Sequence, residues 1–306
     1  MVCGDRMGKP EWLKIRPPTT EKFASIKRTI AGLGLHTVCQ EAHCPNMSEC
    51  WSGGTATFMV MGDTCTRGCR FCAVSKAREG MPLDPLEPAK LAAAVKEFGL
   101  DYVVITSVDR DELEDQGAGH FAKCVRALKE GVPGIYVEVL IPDFRGEEEC
   151  LRTVVGAGPD VIAHNIETTR EMQKCVRDRR AGYEQSLGVL RSVKELNATL
   201  YTKSSIILGM GEREEDVLQA MDDLRSVGCD ILTMGQYLRP TEVQMAVAEF
   251  VPPEKFERLK RAGEERGFAY VASGPFVRTS YRAGELFIKN ILLKRERKGI
   301  EVVADA

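Results

Sequence analysis

The sequence has no uninterrupted apolar stretch approaching the roughly 20 residues that a membrane-crossing helix needs. Its opening, MVCGDRMGKPEWLKIRPP, lacks the apolar segment of a secretory signal. Neither a membrane partner nor export is expected, and cytoplasmic residence is. Positive charge is not in surplus either. The 42 Lys and Arg stand against 45 Asp and Glu, giving a formal net charge of -3, so a general polyanion-binding role and a nucleic-acid partner are not expected. There is no repeat of fixed period and no low-complexity tract. The four histidines, His36, His43, His120 and His164, form no HExxH or HxxxH pattern, and structural roles are expected for them. With 43% hydrophobic content over 306 residues, the chain can bury a sizeable core, which excludes disorder as its main state.

Cysteine is what the chain has in excess. Eleven are present, an odd number in a long chain without an export signal, which favours reduced thiols over a disulfide framework. Cys39, Cys44, Cys50, Cys65, Cys69 and Cys72 fall within one short stretch. Cys3, Cys124, Cys150, Cys175 and Cys229 are scattered singly, as small buried hydrophobes or inert surface thiols would be.

From about residue 57 onward, short apolar runs alternate with helical patterns. Strands are expected at 57–61, 102–106, 135–141, 161–164, 202–208 and 230–234. Between them, Leu91, Val95 and Phe98 share a helix face, as do Val217, Met221 and Leu224, and Phe256 and Leu259 continue the pattern. Glu87 and Pro88 suit a first helical turn. Parallel strands joined by crossover helices need both sheet faces covered, so the fold class is α/β, either an open doubly wound sheet or a full or partial barrel. Six strands are too few for the eight-unit barrel. Residues 1–54 form a cysteine-bearing extension with an amphipathic segment around Phe23, Ile26 and Ile30. Residues 55–266 form the core, and 267–306 a C-terminal extension whose basic stretch, Lys289 to Lys298, suits a solvated helix end.

In GDTCTRGCRFC, Cys65, Cys69 and Cys72 lie on the loop leaving the first strand, at the strand end where βα folds place their chemistry. Structural zinc and electron-carrying iron-sulfur clusters commonly take four protein ligands. This loop offers three. A [4Fe-4S] cluster on three thiolates leaves one iron open to a small chelating molecule; a zinc ion completed by a distant residue is the alternative that spacing leaves open. Arg67 and Arg70 either offset a cluster's negative charge or are solvated.

This CxxxCxxC loop resembles the signature of the radical S-adenosylmethionine superfamily. The resemblance implies a partial (β/α)6 barrel in which S-adenosylmethionine chelates the open iron and is cleaved by one electron to a 5′-deoxyadenosyl radical. The protein supplies positioning and water exclusion. The second triplet, in CQEAHCPNMSEC, together with SVDRDEL, GAGHF, HNIET, ILGMGE, GQYLRPT and VASGPFVRTSY, is similar to the lipoyl synthase family along nearly all of residues 36 to 285. That likeness implies an auxiliary [4Fe-4S] cluster on Cys39, Cys44 and Cys50, completed by Ser280 of an RTSY motif whose first serine position is Thr279 here. A harder oxygen donor makes one corner of a thiolate-held cluster distinct, and a distinct corner can be a labile one. From the residues alone, capping of a helix near Ala283 is an equal alternative for Ser280.

By the same likeness Asn165 and Glu167 reach S-adenosylmethionine. Ser107 and Asp109 lie beyond the second strand on the same rim, where they either contact the cofactor or stabilise a loop. Lys203 and Arg278 are candidates for neutralising the cofactor carboxylate or a cluster. The implied reaction inserts two sulfur atoms at C6 and C8 of an octanoyl chain on a carrier lysine, a sulfurtransferase activity. Unactivated C–H bonds have no acidic proton, so radical abstraction is required. The implied partners are octanoylated lipoyl carrier domains, the glycine cleavage H protein or a 2-oxoacid dehydrogenase E2, and a ferredoxin- or flavodoxin-type electron donor. Many members carry basic residues or His where this chain has PTEVQMA at 240–246, which leaves a local carrier contact open. Competing readings are a radical enzyme whose second cluster only transfers electrons or anchors substrate, and a non-catalytic zinc or iron-sulfur module.

Overall fold

A computed structural model describes residues 10–14, 20–52 and 56–280. The basic stretch from Lys289 to Lys298 and the helix expected near Ala283 lie outside the described residues.

The N-terminal segment begins with helix α1 (Glu21–Leu33), which Thr20 caps by accepting the Phe23 N–H and Gly34 ends in the left-handed region at φ 64°. Its Ile26 and Ile30 are buried as their spacing requires, and the Phe23 ring packs 5.1 Å from that of Trp51. A short strand, β1 (His36–Thr37), then leads to α2 (Val38–Glu41) and α3 (Met47–Ser52).

The core alternates β2 (Thr57–Val60), the small pair β3 (Thr64–Cys65) and β4 (Ser75–Lys76), α4 (Glu87–Phe98), β5 (Tyr102–Ser107), α5 (Ala118–Gly131), β6 (Tyr136–Leu140), α6 (Glu148–Val155), β7 (Val161–Ala163), α7 (Gln173–Val176), α8 (Tyr183–Leu196), β8 (Tyr201–Leu208), α9 (Glu214–Ser226), β9 (Ile231–Gln236), α10 (Pro253–Glu265) and β10 (Tyr270–Gly274). The main sheet has the order β1-β2-β5-β6-β7-β8-β9-β10, parallel throughout except for β1. Its two edge strands, β1 and β10, are not paired with each other among the described residues, so the barrel is open. All six expected strands are present within a residue or two of their expected bounds.

One feature differs from expectation. The parallel series runs past residue 266, because β10 pairs along β9 with Val271 opposite Leu232. Its VASG run is too short and too small in side chain to stand out in the sequence. Glu87 and Pro88 open α4 as expected, and Glu87 is buried there: it accepts the Met61 N–H at 3.0 Å and meets His120 Nε2 at 2.6 Å. Met61, at φ 69°, turns the chain out of β2 toward the cysteine loop.

Strands β2, β5 and β6 share one apolar cluster with α1, α4, α5 and α6, and β8, β9 and β10 share a second with α8, α9 and α10. Each fully buried Leu, Ile or Phe contributes about 1.5–3 kcal/mol relative to exposure. The carboxyl ends of the parallel strands all point to one side, and residues 275–280 cross that end. They do so because Gly235 has no side chain: a Cβ there would stand 2.0 Å from the Val277 carbonyl oxygen. Gly235→Ala should therefore lower stability by about 3 kcal/mol in thermal unfolding and open 275–280 to proteolysis. An unchanged melting temperature and cleavage pattern would show that this segment is not seated on β9.

Candidate active site at the carboxyl ends of the strands

One cavity of 360 Å³ opens at these strand ends, and all six clustered cysteines line it together with Ser280. Each half of the set is placed by local structure. In the N-terminal segment, Thr37 caps α2 through the Gln40 N–H and fixes Cys39, the Cys44 N–H closes onto the Cys39 carbonyl, and the Cys50 N–H bonds the Asn46 carbonyl. Asn46 Nδ2 donates to the Phe276 carbonyl at 2.6 Å, and Thr57 Oγ1 donates to Ser280 Oγ at 2.7 Å. The amino-terminal triplet, the first core strand and the carboxyl-terminal hydroxyl are thereby joined.

The second triplet sits on the β3–β4 loop. Each of its sulfurs faces a backbone N–H. Cys65 receives that of Arg67 at 3.4 Å, Cys69 that of Asp178 at 3.3 Å, and Cys72 that of Val74. Burial pushes the uncomplexed thiols up, to about 12 at Cys65 and about 11 at Cys69 and Cys39, and raises Cys44 and Cys72 as well. Buried thiols with such values are poor free nucleophiles. Their use is as ligands to a group whose positive charge removes the proton.

Donor spacing tests which group fits. Among the described residues neither triplet brings three sulfurs within 4.8 Å of one another, as a single ion would require. Two sets of three thiols, each spread around a common hollow, suit polynuclear clusters whose ligands sit at separate corners.

Arg67 is 3% exposed and binds three carboxylates. It contacts Asp111 at 2.8 Å, Asp143 at 2.6 Å and Asp109 at 3.3 Å. Burial alone would raise the Asp143 carboxyl, but the Arg67 bonds hold it down at about 2. Asp109 has the weaker contact and lines the cavity, where burial raises it to about 6 against the pull of Arg67. Arg67 therefore locks the loop onto β5 and β6 and is neither solvated nor free for a cluster.

Ser107, Asn165 and Glu167 all line the cavity. Ser107 Oγ and Asn165 Oδ1 are buried without a partner, whereas Asn165 Nδ2 donates to Glu167 Oε1 and to Thr279 Oγ1, both at 3.1 Å. Glu167 holds a left-handed φ of 64°, pinned by bonds to Ser205 and Ile207 of β8. Burial raises its carboxyl, with Arg177 and Asn165 opposing. Unpartnered polar atoms and a strained acidic residue facing one hollow are what a polar ligand would complete.

Lys203, the other candidate for neutralising the cofactor carboxylate or a cluster, is not among the residues that line this cavity. It lies on the face of β8 that carries Ser205 and Ile207 into the cavity, but one layer deeper. Its ammonium binds Glu138 at 2.7 Å, and Tyr102 donates to the same carboxylate at 2.5 Å. Arg278 lines the cavity, bonds its own Val277 carbonyl and faces the Cys44 thiol. Arg177, Asp178 and Thr57 were not foreseen, because no local pattern marks them: Arg177 and Asp178 follow the four-residue helix α7, and Thr57 reads as an ordinary strand residue.

Compared with known proteins, the chain matches the Radical SAM superfamily profile over residues 59–224 and the profile of the N-terminal domain of lipoyl synthase over residues 2–44. It is 58% identical over 299 residues to lipoyl synthase of Halobacterium salinarum, covering 96% of this chain and 94% of that protein. It is 56% identical over 301 residues to the chloroplastic lipoyl synthase 1 of Oryza sativa subsp. indica, covering 95% and 81%.

The chain belongs to the lipoyl synthase family.

Its activity is that of lipoyl synthase, a radical S-adenosylmethionine sulfurtransferase. Solved structures with the same fold include methylornithine synthase, at TM-score 0.53 and 14% identity over 83% of this chain and 78% of that one. The hydrogenase maturase HydG follows at 0.56 and 13%, over 71% and 55%. At such identities these likenesses show the fold alone, the radical S-adenosylmethionine partial barrel. No helix among the described residues is long and apolar enough to cross a membrane.

Two outcomes follow from the buried charges. Lys203→Met strands the Glu138 carboxylate and should cost about 3–5 kcal/mol of stability in denaturant unfolding without weakening S-adenosylmethionine binding by the folded protein. The reverse pattern would restore a cofactor role. His164 is buried between the Ile141 carbonyl and Ser186 Oγ, both at 2.9 Å. Burial first, and then Arg177, lower it from 6.5 to about 4. The unfolded chain then binds the extra proton between these values, so stability should fall as pH drops from about 6.5 toward 4, by about 3 kcal/mol in all. Denaturant titrations across that range check this, since His164→Gln should lack this part of the slope. An equal slope in both proteins would contradict the assignment.

Proposed function

We propose that Cys65, Cys69 and Cys72 hold the [4Fe-4S] cluster that binds S-adenosylmethionine, while Cys39, Cys44, Cys50 and Ser280 hold a second [4Fe-4S] cluster that donates sulfur. The observation that carries this reading is the convergence of both triplets and the Ser280 hydroxyl on one cavity. When bound, these groups supply radical hydrogen abstraction at C6 and C8 of a protein-bound octanoyl chain and the sulfur that replaces each hydrogen.

The chain's own residues position and protect that chemistry. Ser107 Oγ and Asn165 Oδ1, buried and unpartnered, are free to bond S-adenosylmethionine, with Glu167 beside them as an acceptor. Met59, Val104, Leu140 and Ile207 line the same hollow, giving an aliphatic substrate a dry channel. Arg278 sets a positive charge beside Cys44. Thr57 Oγ1 donates to Ser280 Oγ and so orients the serine oxygen that would serve as the fourth ligand. The substrate carrier is an octanoylated lipoyl domain, of the H protein or E2 type, with a ferredoxin- or flavodoxin-type donor of electrons.

Reconstituted protein should hold about eight irons and add two sulfur atoms to an octanoylated carrier domain, read by mass spectrometry. Ser280→Ala should keep S-adenosylmethionine cleavage yet lose sulfur insertion by at least about tenfold. Insertion at the wild-type rate would remove Ser280 from the ligand set.

A further inference from the structure

Segment 175–180, between β7 and α8, runs beside the cysteine loop and grips it at successive points. The Arg70 N–H donates to the Val176 carbonyl at 2.8 Å, and Arg70 Nη1 to the Cys175 carbonyl at 3.0 Å. Asp178 Oδ2 accepts the Gly68 N–H at 2.7 Å. Arg180 ties the carboxylate down from the other side, with its N–H and Nε on Asp178 Oδ1 at 3.0 and 2.8 Å. Arg180 also reaches the Thr66 carbonyl at 2.6 Å and Asp111 at 3.2 Å. Between these anchors the Asp178 N–H points at Cys69 Sγ from 3.3 Å. Cys65 takes N–H groups from Arg67 of the cysteine loop and from Asp109 beyond β5, and Cys72 takes one from Val74 of the loop. The one at Cys69 comes from a segment 109 positions away; the Arg70 bonds hold that segment to the loop at 175–176, and the Asp178 and Arg180 contacts fix it at the N–H itself.

We infer that Asp178 and Arg180 are positioning residues that keep the Asp178 N–H on the Cys69 sulfur and thereby set the reduction potential of the cluster that binds S-adenosylmethionine. This rests on the reading of Cys65, Cys69 and Cys72 as that cluster's ligands. Reduction adds negative charge to the cluster and its thiolates, and an N–H aimed at a thiolate stabilises that charge. The bond therefore makes the cluster easier to reduce, and its loss makes reduction harder.

The test must separate hydrogen bonding from charge, since removing the Asp178 carboxylate alone would ease reduction by lowering local negative charge. The double variant Asp178→Asn with Arg180→Gln deletes one charge of each sign. In the reconstituted full chain, redox titration followed by electron paramagnetic resonance reads the midpoint potential and the spectrum of the reduced cluster, without S-adenosylmethionine. A background with Cys39, Cys44 and Cys50 replaced by alanine leaves one cluster to observe. The expected result is a more negative midpoint, with the reduced-to-oxidised ratio at fixed potential falling about tenfold, about 59 mV for a one-electron couple, at unchanged iron content. Lower iron content with an unmoved midpoint in the remaining clusters would show a merely structural clamp and overturn the inference, as would no change at all. If the double variant does not fold, Asp178→Glu conserves charge while displacing the backbone. It should shift the midpoint in the same direction, and an unmoved midpoint overturns the inference equally. Cys69→Ala in the same background reports on the underlying reading: if it keeps a full complement of iron, the ligand assignment fails, independently of any effect of Asp178.

Discussion

The site depends on one steric permission, the absence of a side chain at Gly235. Because the Val277 carbonyl can lie against that strand end, residues 275–280 cross the mouth of the open barrel. There the Phe276 carbonyl meets Asn46, and Ser280 meets Thr57. The bonded partners are 230 and 223 positions apart in the chain. The fold brings Ser280 beside the cysteines by closing its last described segment over β2.

The second constraint is electrostatic. The cavity is lined by the carboxyl groups of Asp109, Asp143 and Glu167 beside six thiols that would become thiolates on metal binding, so the site would gather negative charge as a metal group enters. Arg67 answers Asp109, Asp111 and Asp143 from a buried position, Arg177 stands near Glu167 and Asp109, and Arg278 stands near Cys44. Loss of any one would leave a desolvated charge uncompensated, which is costlier than the absence of the whole pair. Lys203 and Glu138 solve the same problem one layer deeper, where the pair serves the barrel core.

The strands were legible because fully buried parallel strands appear as short apolar runs, as at 102–106 and 230–234. The cysteine spacing was legible because ligands to one group must lie close on a loop, and resemblance to the family then pointed to Ser280. What the sequence did not disclose is tertiary. Whether Lys203 or Ser205 faces the hollow depends on depth along β8, and period-two alternation puts both on the same face. Glu87 was legible as a helix-terminus carboxylate, but its contacts with Met61 and His120 were not. β10 lacked an apolar run long enough to notice. Asp178 and Arg180 make their contacts across more than a hundred residues, a relation no window of sequence contains.

The central claim is that two clusters share one cavity and differ in fate, and sulfur isotopes test it most directly. Protein reconstituted with 34S-sulfide, washed free of excess and given one equivalent of octanoylated carrier, S-adenosylmethionine and reductant should yield a lipoyl group carrying 34S at both C6 and C8. A lipoyl group formed with natural-abundance sulfur would contradict the account, because its sulfur would have come from somewhere other than the cluster set between Cys39, Cys44, Cys50 and Ser280.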